Sequence, residues 1–289
     1  MASRTTQEIY EDVTATIDAA LEKGIVIWRK PWTDHNNPVT GTQYRGINPL
    51  LLEVATMAKG FTDRRWVTFK GAKTLGGKVS KGEKGTTIVF WKFLKGTDRA
   101  TGEDRTIPML RHFTVFCVEQ CEGLELPLVG LGEALNPIEA ADQVVAAFTD
   151  SPEMVEGGGG AWYQPSTDQI GMPDRANFDS PEAWYKTLFH EMAHSTGHES
   201  RLGNGLCGPD QERGRKELGA EMTAAMLCGQ VGILTDDSAD QSAAYIAGWR
   251  QSLKDDPRAL IWAASRAQKA AAYISGERKE EKVTENATA

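Results

Sequence analysis

The chain has 289 residues, 40% of them apolar, a length that allows two domains or one large one. Its net charge of −8 is unevenly spread: residues 1–128 carry 18 Lys+Arg against 15 Asp+Glu, and the remainder 14 against 25, so the two halves look built for separate jobs. No apolar run approaches the roughly 18 residues of a membrane helix, no signal peptide opens the chain, and the cysteines (117, 121, 207, 228) form neither a dense disulfide framework nor a CxxC zinc pair; the expectation is a cytoplasmic protein with no membrane partner.

"TTQEIYEDVTATIDAALEKG" predicts an opening helix with Ile9, Val13, Ile17 and Leu21 on one face. Thr5 and Glu8 can form a capping box, and Gly24 is a stop. "IVIW" reads as an extended segment, and "NPLLLEVATMAKG" as a second helix ending at Gly60. "TTIVFWKFLKG" and "IPMLRHFTVFCVE" flank a polar turn and predict a β-hairpin. Residues 122–136 show no clear period and read as a connection.

Asn136 then caps a new helix with Pro137 in its first turn. Trp162–Tyr163 is expected to pair with Ile170–Met172 as a hairpin, whose edge suits an extended substrate. Ser180-Pro181 opens a helix that stops at Gly197. Further helices are expected over about 211–229, 240–254 and 258–275. The tail "GERKEEKVTENATA" has little to bury and reads as disordered.

The helix after Ser180 carries "TLFHEMAHSTGH". His190, Glu191 and His194 form H-E-x-x-H. Residues four apart share a helix face, so the two imidazoles can hold one ion, with Glu191 beside them as base. A polar surface helix with satisfied histidines is the plain alternative. A metzincin would place its third ligand at position 201, which is Arg201 and cannot ligate. His198 falls past the expected helix end, where it would support a ligand or be merely polar. "RKELGAEMTAAMLCG" supplies the glutamate-zincin solution: Glu217 as ligand and Glu221 orienting a histidine. Zinc, or another divalent ion such as manganese, is the expected cofactor, and amide hydrolysis the expected chemistry. Tyr163 or another tyrosine could serve as oxyanion donor.

Residues 59–99 hold 11 Lys+Arg against 3 acids, interleaved with Phe61, Trp66, Phe69, Phe90, Trp91 and Phe93. Trp28, Trp32, Tyr44 and Arg45 lie upstream. Cations that follow phosphates, beside rings that stack on unpaired bases, suit a single strand better than a duplex. Trp28, Trp32 and Trp66 are the expected exposed platforms. The glycines of "LGGKVSKGEKGTT" would let backbone approach a polyanion. Part of this aromatic set must nevertheless build a core.

Taken together, "IVIWRKPW", "GTQYRGINPLLL", "RRWVTFKGAKTLGGKVSKGEKGTTIVFWK", "FTVFCVEQCEGL", "LFHEMAHSTGHESRL" and "KELGAEMTAAMLC" closely resemble the ArdC-type antirestriction proteins of conjugative plasmids. The resemblance implies an α+β protein: a small α+β single-stranded-DNA-binding domain over 1–128, a linker over 129–136, and a mostly helical zincin-like metallopeptidase domain with a short β-sheet over 137–275. The tail would be 276–289. It also implies protection of incoming DNA from host restriction during conjugation, with a protein substrate such as a restriction or DNA-bound protein. By position, His190, His194 and Glu217 would bind metal and Glu191 would be catalytic. The DNA-binding motifs cover Trp28, Trp32, Tyr44, Arg45, Asn48, Trp66, Lys70, Lys73, Lys78, Lys81 and Lys84. "RGRKELGAE" departs from the pattern, which has an aromatic residue before the paired acids. Another class stays open: a DNA-masking protein whose metal is structural or whose peptidase is idle.

Overall fold

The structure is a computed structural model that describes residues 5–25, 35–97, 104–126, 136–203, 213–233 and 243–277. Trp28, Trp32, most of the "IVIW" segment, nearly all of the expected linker and most of the expected tail lie outside the described residues. The fold is α+β, as expected, and it divides into two compact units: Met1–Ala134 with Asp236–Ser265, and Leu135–Thr235 with Arg266–Ala289.

In the first unit, α1 (Thr6–Glu22) starts with the expected capping box. The Thr5 hydroxyl accepts from the Glu8 N–H, and the Glu8 carboxylate accepts from the Thr5 N–H. Helix α2 (Asn48–Lys59) ends at Gly60, whose φ of 71° is the left-handed conformation that stops a helix. Strand β1 (Trp66–Thr68), α3 (Phe69–Thr74), β2 (Lys78–Val79), β3 (Thr86–Thr97), β4 (Asp104–Cys117) and β5 (Cys121–Glu122) follow. The expected hairpin is the long antiparallel ladder of β3 on β4, running from Thr86↔Val115 to Thr97↔Asp104. β1 adds to the other side of β4.

The core of this unit gathers Leu52, Trp66, Val67, Ile88, Val115, Cys117 and Val118. Asn48 bolts α2 to β3, because its side-chain amide donates to the Val89 carbonyl at 2.7 Å and accepts from the Val89 N–H at 2.8 Å. The helix Ala243–Asp255, which the sequence placed with the second module, packs on α1 in this unit. Arg250 binds Asp18 at 2.6 Å, and nearby the Thr14 hydroxyl donates to the Pro257 carbonyl at 2.9 Å.

The second unit opens with α4 (Pro137–Ala147), capped by Asn136 as expected. A small sheet is built from β6 (Glu153–Glu156), β7 (Trp162–Gln164) and β8 (Gln169–Met172), in the order β6-β8-β7. β7 and β8 form the expected hairpin, with Tyr163 opposite Ile170, and β6 runs parallel to β8. Helices α5 (Pro181–Ser195) and α6 (Arg213–Val231) pack together beside the sheet. The chain then runs through α7, the Ala243–Asp255 helix, into α8 (Ala259–Ile274). Ala193, Ala220 and Ala270 meet with no exposure, small side chains that let α5, α6 and α8 approach closely. Among the described residues no helix is long and apolar enough to cross a membrane.

Candidate metal centre

Helix α5 begins where the Ser180 hydroxyl accepts from the Ala183 N–H, with Pro181 in the first turn. Trp184, Tyr185, Leu188, Phe189 and Met192 bury one broad face and fix the helix rotation. That rotation leaves His190 and His194 half-buried on a common face toward α6, which brings Glu217 to them. The two Nε2 atoms are 3.1 Å apart. The Glu217 Oε2 atom lies 3.4 Å from His190 Nε2 and 3.5 Å from His194 Nε2.

This triangle fits a metal ion. Donors held about 2.0–2.2 Å from a tetrahedral ion stand about 3.3–3.6 Å from one another, against 3.1, 3.4 and 3.5 Å here. Two imidazoles and a carboxylate form a donor set suited to zinc and to other divalent first-row ions. The electrostatics have the same sense. Hydrogen bonds with His190 and His194 hold the Glu217 carboxyl well below the usual carboxylate range. Burial works against charge on His190, but Glu217, helped by the nearby Glu191 and Glu221, outweighs it and raises the imidazole pKa. A cation bound there would compete with the proton that these charges favour on His190.

Glu191 is 9% exposed and points beside the triangle. Burial pushes its carboxyl pKa up, opposed by the two histidines and, least, by the backbone N–H of Tyr163. Tyr163 lies on β7, one of the two edge strands, so the base stands near an edge of the sheet. The Tyr163 hydroxyl, considered above as an oxyanion donor, instead donates to Asp168 at 2.9 Å. Burial, followed by that carboxylate, pushes its pKa up to about 12.

Asp168 has a φ of 52°, the lone non-glycine positive φ among the described residues, and turns its carboxylate onto Arg201. Arg201 grips both carboxylate oxygens at 2.8 and 2.7 Å, donates to the Asp150 carbonyl at 2.6 Å, and reaches the Ser195 carbonyl at 3.1 Å. One guanidinium thus ties the β7–β8 turn to the end of the histidine helix. The sequence marked Arg201 only as a residue that cannot bind metal; its fork geometry is a tertiary property with no local signal. Glu221 lies one turn beyond Glu217 and acts on His190 through its charge. His198 stands outside the triangle and engages Ser200, Nδ1 to Oγ at 2.7 Å.

The nucleic-acid candidates divide. Arg45, Lys70, Lys73, Lys78, Lys81 and Lys84 are exposed, Lys78 with Glu122 at 3.5 Å. Trp66 requires correction: the expected stacking ring is fully buried. Its indole N–H donates to His35 Nδ1 at 3.0 Å, and Phe61 meets the ring edge-on. Both faces of β1 are covered, Trp66 and Val67 alike at 0% exposure, and Trp66 pairs opposite the buried Cys117. Asn48 is likewise buried, at 8% exposure, with its amide committed to Val89. Tyr44 is half-buried against that core and donates to the Trp66 carbonyl at 3.0 Å. In the glycine run, a Cβ on Gly77 would meet the Glu122 carbonyl at 2.3 Å and one on Gly85 the Thr114 methyl at 2.3 Å, whereas Gly82 stands in open space. The first two permit close packing within the fold.

Residues 7–116 match the family described as the N-terminal domain of anti-restriction factor ArdC, and residues 139–266 match the zincin-like metallopeptidase family. The metal-free crystal structure of the antirestriction ArdC protein from the R388 plasmid superposes with a TM-score of 0.76. It is 38% identical, over 93% of this chain and 98% of that one. The Mn(II)-bound structure of the same protein gives a TM-score of 0.73 at 39% identity, over 92% and 96%. A protein of Sinorhizobium fredii, y4eC, is 34% identical over 94% of this chain and 92% of its own length. A DNA primase TraC of Escherichia coli is 33% identical over 92% of this chain, but the chain spans only 20% of that protein, and 27% of a second TraC.

Proposed function

The chain belongs to the ArdC antirestriction family, with that family's N-terminal domain and a zincin-like metallopeptidase domain, and from this we propose that it binds single-stranded DNA, hydrolyses peptide bonds at a divalent-metal site, and protects incoming DNA from restriction. The observation that carries the reading is the triangle of His190, His194 and Glu217 with the buried Glu191 at its side.

His190, His194 and Glu217 would hold the ion, zinc in the first instance. The Mn(II) of the R388 protein's structure makes manganese the second candidate. When bound, such an ion supplies Lewis acidity toward a water molecule and toward a carbonyl oxygen. Glu191 takes the proton of the attacking water and passes it to the leaving nitrogen. Its raised pKa suits both steps, because a base poised nearer neutrality also serves as the acid. The Tyr163 N–H favours the charged form of that carboxyl group. The outer edge of β7 lies beside Glu191 and suits an extended peptide, which would lay its scissile bond along the triangle. In the first unit, the exposed lysines of α3 and the segment after it supply the charge that follows a phosphate chain. The protein substrate would be a host restriction or other DNA-bound protein.

The test is transfer of unmodified plasmid DNA by conjugation into a restricting and a non-restricting recipient. Wild type should raise transfer only into the restricting one. Equal transfer with and without the protein in both recipients would refute the reading. Protection retained in full by Glu191→Gln would favour DNA masking over proteolysis.

A further inference from the structure

The hairpin of β3 and β4 changes character along its length. Its paired residues alternate between two faces, and one face carries Ile88, Phe90 and Lys92 from β3 with Val115, Phe113 and Arg111 from β4. Near β1 this face is core: Val115 is fully buried and Ile88 is 9% exposed. Two residues further out, Phe113 is 44% exposed, Phe90 is half-buried, and Arg111 and Lys92 are exposed. On the opposite face Val89 and Leu110 are buried, at 4% and 3%, Trp91 and His112 are half-buried, and Thr114 is exposed. The exposed ring, Phe113, lies on the first of these faces.

On that side the Phe90 and Phe113 rings stack, centroids 4.8 Å apart and planes 20° from parallel. Arg111 stands directly across the ladder from Phe90, and Lys92 follows two residues on. The two strands carry four Lys/Arg and one acid, Asp104, at the far end of the ladder. A rigid pair of phenyl rings left partly open to water and flanked by cations complements one kind of chain: flat apolar rings linked by phosphates. We propose that the Phe90–Phe113 pair is a base-stacking platform for single-stranded DNA, with Arg111 and Lys92 on the adjoining phosphates. It rests on the single-stranded-DNA reading above and supplies what Trp66, being buried, cannot. Duplex bases are already stacked on each other and cannot use the platform. Phe69, 55% exposed, is the competing ring, but Lys73 already lies over it at 5.5 Å.

The experiment is fluorescence anisotropy of labelled oligo-dT and of a duplex of equal length, with the full chain. Phe113→Leu should weaken oligo-dT binding by about fivefold to a hundredfold, the loss of one base–ring stack, and leave duplex binding unchanged. Phe113→Trp should bind as wild type. Arg111→Gln should weaken binding and reduce the slope of log K against log salt by about 0.7. Circular dichroism melts check that the exposed substitutions leave the fold intact. Wild-type affinity in Phe113→Leu overturns the platform while the DNA-binding reading stands, and loss at Phe69→Leu alone would move the platform to α3. A wild-type protein that binds no oligo-dT overturns both.

Discussion

Arg201→Ala removes a guanidinium whose side chain is 3% exposed and which holds Asp168 by two bonds and the carbonyls of Asp150 and Ser195 by one each. Breaking a buried pair by removing one partner costs about 3–5 kcal/mol. The Asp168 side chain is 30% exposed, so water replaces some of its lost bonds and the cost falls near about 3 kcal/mol. That is a shift of about a hundredfold in the local opening equilibrium. Arg201→Lys should recover only part of it, because an ammonium cannot grip both oxygens in plane. Hydrogen exchange read by mass spectrometry resolves the effect within one unit. Amides of 162–172 and of 190–203 should exchange faster in both variants, and those of α1 should not. The sign with pH follows from Asp168, whose carboxyl is held below its usual range by Arg201. A lowered carboxylate pKa stabilises above the unfolded value, near about 3.9, and that stability is lost as pH falls through the lower folded value. The difference between wild type and Arg201→Ala should be full at neutral pH and shrink only below about pH 4. Unchanged exchange in 162–172 at neutral pH would refute the claim that this ion pair anchors the β7–β8 turn.

His190→Ala or His194→Ala should abolish stoichiometric binding of zinc or manganese by calorimetry. Glu217→Ala should weaken metal binding far more than Glu221→Ala, since loss of an outer carboxylate costs about 10–100-fold and loss of a donor costs more; the reverse ranking would move the ligand to Glu221. Trp66→Leu should lower stability in urea by about 3 kcal/mol, for it empties part of a closed core and removes the partner of His35 Nδ1, and should leave oligo-dT affinity of the folded protein unchanged. Asn48→Ala should cost about 1–3 kcal/mol by the same assay, because two backbone groups of Val89 lose their partner.

What the sequence makes legible is mostly what is local. The Thr5–Glu8 capping box, the stops at Gly24 and Gly60, and the Asn136 and Ser180 caps are each decided within a few residues, and all stand in the structure. Both hairpins follow from alternation and turn chemistry, and their registers join near neighbours. The parallel pairing of β6 with β8 has no such signal, because its partners are linked only through an intervening strand. The docking of α7 on α1 joins residues more than two hundred positions apart. Trp66 fails for a related reason: beside Arg64 and Arg65 it looks solvent-facing, but those arginines pair with Glu53 and Asp63 while Trp66 and Val67 both enter the core. At the candidate metal site the helical spacing makes His190 and His194 neighbours, whereas the contribution of Tyr163 comes from its backbone N–H and is independent of its side chain.

The most direct measurement pairs metal content with proteolysis. Wild type and Glu191→Gln, loaded with zinc or manganese, are incubated with single-stranded DNA and purified host restriction subunits, and the metal in each is quantified. Both proteins should hold one ion per chain, and only wild type should cleave. Stoichiometric metal with equal cleavage by both proteins, or with cleavage by neither, would contradict a Glu191-based peptidase at His190, His194 and Glu217.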